Sequence, residues 1–163
     1  MKFLSRRQLN LAGFLACVGM MGYALYAEHV LMLMPCPLCI FQRIAVIALG
    51  VVFLAMAIHN PVGYGRYIYT LLILLATTFG AGVSGRHMWL QNLPADQVPS
   101  CGPGFDYIID SFPLSEALRL IFSGSGECAS IDWQFLSLSM PTWVLIAVSV
   151  VGTFGAWNNL RSI

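Results

Sequence analysis

Four long apolar stretches, separated by short polar segments and one long one, set the pattern of the chain. They cover residues 9–27, 39–58, 67–83 and 140–157. A run of roughly 20 apolar residues, rising about 1.5 Å each as a helix, crosses a hydrocarbon layer about 30 Å thick. Backbone groups in lipid must pair with one another, so each stretch is expected to be helical. The pattern predicts an all-α membrane protein, a four-transmembrane-helix bundle built as one integral membrane domain over residues 1–163.

Composition agrees with a membrane location. Hydrophobic residues make up 58% of the chain and charged residues only 9%, whereas a soluble domain needs more charge to cover its surface. The formal net charge of +1 suggests no nucleic-acid partner, and the lipid bilayer is the expected surrounding. Lys2, Arg6 and Arg7 precede the first stretch as in a signal peptide. However, that stretch is long and ends without a small-x-small cleavage site, so we expect a retained helix.

Charge placement predicts the orientation, because basic residues favour the cytoplasmic side. With four helices, the basic residues before the first helix lie on the same side as Arg66 and Arg161. The two loops of the opposite side, around residues 28–29 and over residues 84–139, hold every carboxylate: Glu28, Asp96, Asp106, Asp110, Glu116, Glu127 and Asp132. Both termini are therefore predicted to be cytoplasmic. In a bacterial inner membrane the two loops would be periplasmic, where disulfides persist.

The long loop is too small for an independent core and is rich in proline and glycine, which break regular structure. One part of it, residues 114–122, has apolar residues near helical spacing. It is predicted to form a short amphipathic helix lying on the bilayer surface.

Cys36 and Cys39 form a Cys-x-x-Cys pair where the second apolar stretch begins. Pro35 and Pro37 favour a helix start at this point. The first turn of a helix carries unpaired N–H groups and a partial positive charge, which stabilise a thiolate. The spacing predicts a redox-active dithiol.

A zinc site and a static disulfide are the alternatives for this pair. Zinc usually takes four ligands, often from a second close pair, but the other outward cysteines are far apart in sequence. His29, His59 and His87 show no paired spacing either. We therefore expect no metal. A static disulfide closing so short a ring adds little stability.

Arg43 follows Cys39 by four residues, so both side chains share a helix face. An arginine at membrane depth usually marks a functional site. It could stabilise the Cys39 thiolate and negative charge on a lipid-soluble acceptor, for which a quinone is the candidate. Snorkelling to the headgroups is the alternative role, and the two are compatible. His87 is expected level with Cys39, where it could hydrogen-bond a quinone carbonyl or simply lie at the interface.

Cys101 and Cys128 lie in glycine- and proline-containing segments of the long loop. As a static staple, their disulfide would contribute about 3 kcal/mol in the chain-entropy model. Near a second dithiol, a mobile disulfide can instead pass oxidising equivalents by exchange. The segment around Cys101 is expected to be exposed to attack by a partner thiolate. Cys17, in the middle of the first helix, is expected to be a packing residue.

These motifs together resemble the disulfide bond formation protein B (DsbB) family, the quinone-linked thiol oxidoreductases of bacterial inner membranes. The resemblance rests on Pro-Cys-Pro-Leu-Cys-Ile-Phe-Gln-Arg at 35–43, the single cysteines 101 and 128, and the run from 133 to 143 that ends Met-Pro-x-Trp. It covers nearly the whole chain, with four helices in the same order.

The resemblance implies a role for each of these residues. A reduced DsbA-like thiol oxidase would attack Cys101 and free Cys128. Cys36 and Cys39 would reoxidise the outer pair, with Cys36 as the partner in an inter-loop disulfide. Cys39 would face ubiquinone or menaquinone, held in part by Arg43, and electrons would leave to the membrane quinone pool.

Other functions stay open at this level. A paralogue serving one dedicated partner would have the same sequence features. A non-catalytic membrane scaffold with structural disulfides, or a small transporter, belongs to a different class. A transport path should show polar residues at mid-membrane positions, and the apolar stretches have few. A carrier of reducing power across the membrane would need cysteines reachable from the cytoplasm, and only Cys17 is even midway.

Overall fold

Four long helices, with a segment of short elements before the last of them, make up the protein. The structure is a computed structural model and describes residues 5–94, 96–98, 105–124 and 126–161. In chain order, its elements are α1 (Arg6–His29), α2 (Pro37–His59), α3 (Gly65–Gln91), α4 (Phe105–Ser111), α5 (Leu114–Ser123), α6 (Gly126–Ala129), β1 (Gln134–Phe135), β2 (Leu138–Ser139) and α7 (Met140–Leu160).

The helices α1, α2, α3 and α7 have 24, 23, 27 and 21 residues and are long and apolar enough to span a membrane. This confirms the predicted four-helix, all-α, multi-pass membrane fold. One boundary was wrong: α3 continues to Gln91, so the long segment does not begin at residue 84. Ser84, His87 and Leu90 are buried at three-residue spacing, because the segment after α3 covers this face. Polar residues therefore continue the helix rather than end it.

Local sequence signals set where the long helices begin and end. Ser5 caps α1 by accepting a hydrogen bond from the Gln8 backbone N–H, and the Gln8 side chain accepts one from the Ser5 N–H. This is a capping box. Cys36 is the N-cap of α2, followed by Pro37 at the first helical position. The helix α2 ends at His59 and is followed by the capping residue Asn60, whose φ of 43° is left-handed, a conformation that asparagine tolerates.

The centre of the bundle is a close-packed apolar core. Phe53, Leu49, Met56, Ile73 and Val148 are all at most 1% exposed there. Glycines on the facing helices let the backbones approach, as is usual in membrane bundles. A Cβ added to Gly152 of α7 would lie 1.9 Å from Oγ1 of Thr77 on α3. The contact between α3 and α7 therefore requires glycine at this position.

A second buried cluster lies at the end of the bundle where α2 and α7 begin, called here the cysteine end. The segment after α3 folds over this end, and the buried face of α5, Ala117 and Ile121, packs there. Arg86 of α3 donates hydrogen bonds to the carbonyls of Phe122 (3.2 Å) and Ser123 (3.1 Å). The predicted helix at residues 114–122 thus forms, and its buried face lies against the bundle.

The strands β1 and β2 form a short antiparallel hairpin that leads into α7, pairing Gln134 with Ser139 and Phe135 with Leu138. The Trp143 indole N–H donates a hydrogen bond of 3.0 Å to the Phe135 carbonyl. The hairpin is thereby attached to the first turn of α7 at the cysteine end.

Candidate active site

The N-terminus of α2 brings Cys36 and Cys39 together. Their Sγ atoms lie 2.9 Å apart, and the Cys39 backbone N–H lies 3.4 Å from the Cys36 sulfur that accepts its hydrogen bond. The Cys36 sulfur therefore takes the capping role that an oxygen usually has, and satisfies one of the free N–H groups of the first turn. Cys36 is buried and Cys39 is half-buried.

Cys128, carried by the short helix α6, joins this pair from the covering segment. Its side chain is fully buried, and it belongs to the same cluster as Cys36, with which it shares a hydrogen bond. This hydrogen bond, a second one with Cys39, and burial all raise the pKa of Cys36. Three of the four predicted redox cysteines thus lie together, and Cys101 lies outside the described residues.

His87 of α3 completes a cluster of sulfur and nitrogen atoms. Its Nε2 lies 3.8 Å from the Cys36 Sγ, and the candidate ligand atoms of Cys36, Cys39 and His87 all lie within 4.8 Å of one another. The imidazole is 3% exposed, and its Nδ1 has no hydrogen-bond partner among the described residues. The sequence placed His87 level with the dithiol but gave no sign of this close approach, because Cys39 and His87 are 48 positions apart in the chain.

Arg43 lies one turn below Cys39 and forms an ion pair with Glu28 at the end of α1. A second guanidinium nitrogen lies 3.4 Å from the Ala24 carbonyl oxygen. The side chains of Arg43 and Glu28 are 22% and 26% exposed, so this charged pair is partly shielded from the surroundings. Sequence analysis missed Glu28 as the partner. The signal was present, since Glu28 is the only carboxylate between the N-terminus and Arg43.

A cleft with a cavity volume of about 120 Å³ lies against the thiols between the ends of the four long helices. Its walls are mostly apolar. The residues that carry polar or reactive groups into the lining are Glu28, Cys36, Cys39, Gln42, Arg43, His87, Gln91, Glu127, Ser130, Asp132 and Trp133. Cys39, Arg43 and His87 thus face one space, in agreement with their predicted common placement.

Gln42 is the second residue that sequence analysis missed. Its side chain is 5% exposed, and its Nε2 has no hydrogen-bond partner among the described residues. A buried amide without a partner costs about 1–3 kcal/mol. Gln42 therefore offers an unused donor in the cleft wall, next to Arg43. A glutamine within an apolar stretch was the available signal.

Comparison with known proteins gives one consistent result. The family model described as Disulfide bond formation protein DsbB matches residues 6–158. A protein from Nitrosococcus oceani called Disulfide bond formation protein B is 50% identical over 98% of this chain and 94% of its own length. A protein with the same name from Saccharophagus degradans is 50% identical over 98% of this chain and 96% of its own length. Another from Acinetobacter baumannii is 51% identical over 97% of this chain and 93% of its own length. The residues matched by the family model include every residue that lines the cleft.

Proposed function

The chain belongs to the DsbB family, and from that premise we propose that it oxidises a soluble thioredoxin-like partner of the DsbA kind and reduces membrane quinone. Its place among multi-pass membrane proteins of disulfide bond formation follows from the family and the four long helices. The observation that carries the proposal is the meeting of Cys36, Cys39 and Cys128 beside an apolar cleft at one end of the bundle.

The first step is exchange with the partner. In the oxidised protein, Cys101 is joined to Cys128, and a thiolate of the reduced partner attacks the Cys101 sulfur. A mixed disulfide forms and Cys128 leaves as a thiolate. The second thiol of the partner then displaces Cys101, so the partner leaves as a disulfide and the Cys101–Cys128 pair holds two electrons.

The second step moves these electrons to the inner pair. Cys128 attacks Cys36 of the Cys36–Cys39 disulfide, which releases Cys39 as a thiolate, and Cys101 then displaces Cys36 to restore the outer disulfide. The hydrogen bond between Cys36 and Cys128 supports this route. Cys39, half-buried and adjacent to the cleft, is the sulfur released toward it.

The lining of the cleft fits a quinone as electron acceptor. Its apolar walls suit the ring, and Arg43, His87 and Gln42 supply donors for two carbonyl oxygens. A bound quinone, ubiquinone or menaquinone, would supply the acceptor for two electrons and two protons, and the sulfurs of Cys36 and Cys39 would rejoin as a disulfide as they give up those electrons. Arg43 would stabilise negative charge at the oxygen it faces, and His87 would hold or transfer a proton at Nε2.

Charge distribution supports an orientation for this chemistry. We propose a bacterial inner membrane, with both termini cytoplasmic and the cysteine end periplasmic, because Arg6, Arg66 and Arg161 all lie at the other end. An oxidising compartment on the cysteine side would keep the outer disulfide intact. The soluble partner would reach Cys101 from that side.

The test is turnover with purified protein in detergent micelles. Reduced DsbA-like protein is supplied with a short-chain quinone, and partner oxidation and quinol formation are followed together. Equal amounts of both products are expected. Cys39→Ser should lower the rate more than about 10³-fold, because losing a covalent nucleophile removes the step itself.

Cys17→Ser is the matched control, since Cys17 is also a cysteine of a long helix but lies in the central core. It should retain the rate of the unsubstituted protein. Normal turnover by Cys39→Ser, or partner oxidation without quinol, would refute the proposed electron route.

A further inference from the structure

We propose that the reduced thiol site is also a binding site for a thiophilic divalent cation such as Zn²⁺, held by Cys36, Cys39 and His87. Sequence analysis considered zinc at this pair and expected no metal, because no histidine lies at a paired spacing from the cysteines. In space, one imidazole nitrogen and two sulfurs converge within 4.8 Å, at the mouth of a cleft that leaves room for a fourth, solvent ligand. Three protein ligands with one open position is a known arrangement for zinc.

The distances suit a tetrahedral ion after a small adjustment. Bond lengths of about 2.3 Å to sulfur and 2.0–2.1 Å to nitrogen place neighbouring ligands roughly 3.5–3.8 Å apart. The Cys36 Sγ and His87 Nε2 are already 3.8 Å apart. The two sulfurs, at 2.9 Å, need to separate by less than about 1 Å. A modest rotation of the half-buried Cys39 side chain provides this.

Charge balance also favours a divalent cation. Two thiolates and a neutral imidazole cancel a charge of +2, so the complex avoids the high cost of burying net charge. Among the charged lining residues, Arg43 and Glu28 neutralise one another. Glu127 and Asp132 are exposed carboxylates in the same lining, and their field raises the local concentration of cations.

Binding is tied to the redox state of the pair. The ion takes both sulfurs as thiolates, so a proton still held by either thiol leaves as the ion enters. A Cys36–Cys39 disulfide has no thiolate to offer and should release the ion. A bound ion would therefore hold the pair reduced and stop electron transfer. This inhibitory consequence rests on the proposed function, whereas the binding itself does not.

Cobalt is the probe for the site. Full-length protein in micelles is reduced, freed of reductant under anaerobic conditions and titrated with Co²⁺. Thiolate-to-cobalt charge-transfer absorption and the visible bands of tetrahedral cobalt should saturate at one ion per chain. Added Zn²⁺ should displace Co²⁺ and abolish this absorption. Protein in which Cys36 and Cys39 form a disulfide should show no cobalt absorption.

Paired variants identify the ligands. Cys39→Ser should remove about half of the charge-transfer intensity, because one of two thiolates is lost. His87→Ala should weaken Co²⁺ binding by more than about tenfold, since even outer-shell partners of a metal contribute that much. Cys17→Ser and His59→Ala should bind as the unsubstituted protein does, since Cys17 lies in the central core and His59 at the far end of α2. Circular dichroism checks that each variant keeps its helices.

Either of two results would overturn the proposal. Reduced protein that gives no charge-transfer band, or a band of full intensity in Cys39→Ser, would rule out this site. Turnover inhibited by Zn²⁺ and restored by a chelator would extend the finding to the proposed function. Cobalt binding without Zn²⁺ inhibition would keep the site and refute only the inhibitory consequence.

Discussion

At the scale of single residues, the two cysteines of the inner pair are made unequal by their surroundings. Cys36 is 7% exposed, caps a helix with its sulfur and shares a hydrogen bond with Cys128. Cys39 is half-buried and faces the cleft. A thiol must lose its proton to act as a nucleophile, so these surroundings assign different tasks to the two sulfurs.

Alkylation of the reduced protein should show this inequality. At pH 7, iodoacetamide should label Cys39 at least about tenfold faster than Cys36, because only thiolates react and the pKa of Cys36 is raised by its hydrogen bonds and burial. Raising the pH through the usual thiol range, near 8.5, should leave Cys36 slow. Mass spectrometry of each labelled peptide gives the rates, with buried Cys17 as a reference. Equal rates for Cys36 and Cys39 would contradict the assignment.

The ion pair between Arg43 and Glu28 gives a second prediction at this scale. Glu28→Gln keeps the shape of the side chain but removes its charge, so the guanidinium loses its main restraint. A charge-assisted hydrogen bond contributes about 1.5–3 kcal/mol, and the pair is partly exposed. We therefore expect the KM for quinone to rise about tenfold, with kcat nearly unchanged.

Glu116→Gln provides the matched control, because Glu116 is an exposed carboxylate on α5, away from the cleft. Its KM should stay at the value of the unsubstituted protein. Steady-state rates at varied quinone concentration give both constants. A normal KM in Glu28→Gln would show that Arg43 does not need its partner.

At the scale of elements, apolar length alone predicts the four helices, since lipid leaves the backbone few alternatives. The residues at which the helices end are harder to predict, because burial against other parts of the fold determines them. Residues 84–91 look like the start of a polar loop, but α5 and α6 cover them and Arg86 is used to bind the end of α5. The short hairpin β1–β2 was not predicted at all, since strands of two residues carry no periodic signal.

The close contact between α3 and α7 predicts how a substitution of Gly152 changes stability. Gly152→Ala places a methyl group 1.9 Å from Thr77 Oγ1, and Thr77 is fixed by its own hydrogen bond of 2.7 Å to the Ile73 carbonyl. Overpacking of this kind usually costs about 1–3 kcal/mol. The denaturant concentration at the midpoint of unfolding in mixed micelles should therefore be lower for this variant than for the unsubstituted protein.

Gly82→Ala is the control for this prediction. Gly82 lies on α3, and a Cβ there would meet nothing within 4 Å. Alanine in a helix is favoured over glycine by about 0.5–1 kcal/mol, so this variant should be neutral or slightly more stable. Equal destabilisation of both variants would mean that the α3–α7 contact is looser than described.

At the scale of the whole molecule, the bundle brings together groups that are scattered along the chain. Sequence motifs identified Cys36, Cys39, Arg43 and His87 as candidates, and the family resemblance implied that Cys36 meets the outer pair, but neither predicted that His87 approaches the Cys36 sulfur directly. That approach depends on how α3 packs against α2 at the cysteine end. Gln42 and Glu28 were missed for a similar reason. Gln42 stands out only because its buried amide lacks a hydrogen-bond partner in the folded protein, and Glu28 reaches Arg43 only because α1 packs against α2.

Single-turnover electron transfer tests the central claim most directly. Fully reduced protein, without any partner, is mixed anaerobically with one equivalent of a short-chain quinone. We predict one quinol per chain and the loss of two free thiols, with the new disulfide found by peptide mapping between Cys36 and Cys39 or, after exchange with the outer pair, between Cys101 and Cys128. Quinone left unreduced with all thiols intact, or quinol formed equally well by Cys39→Ser, would contradict the account.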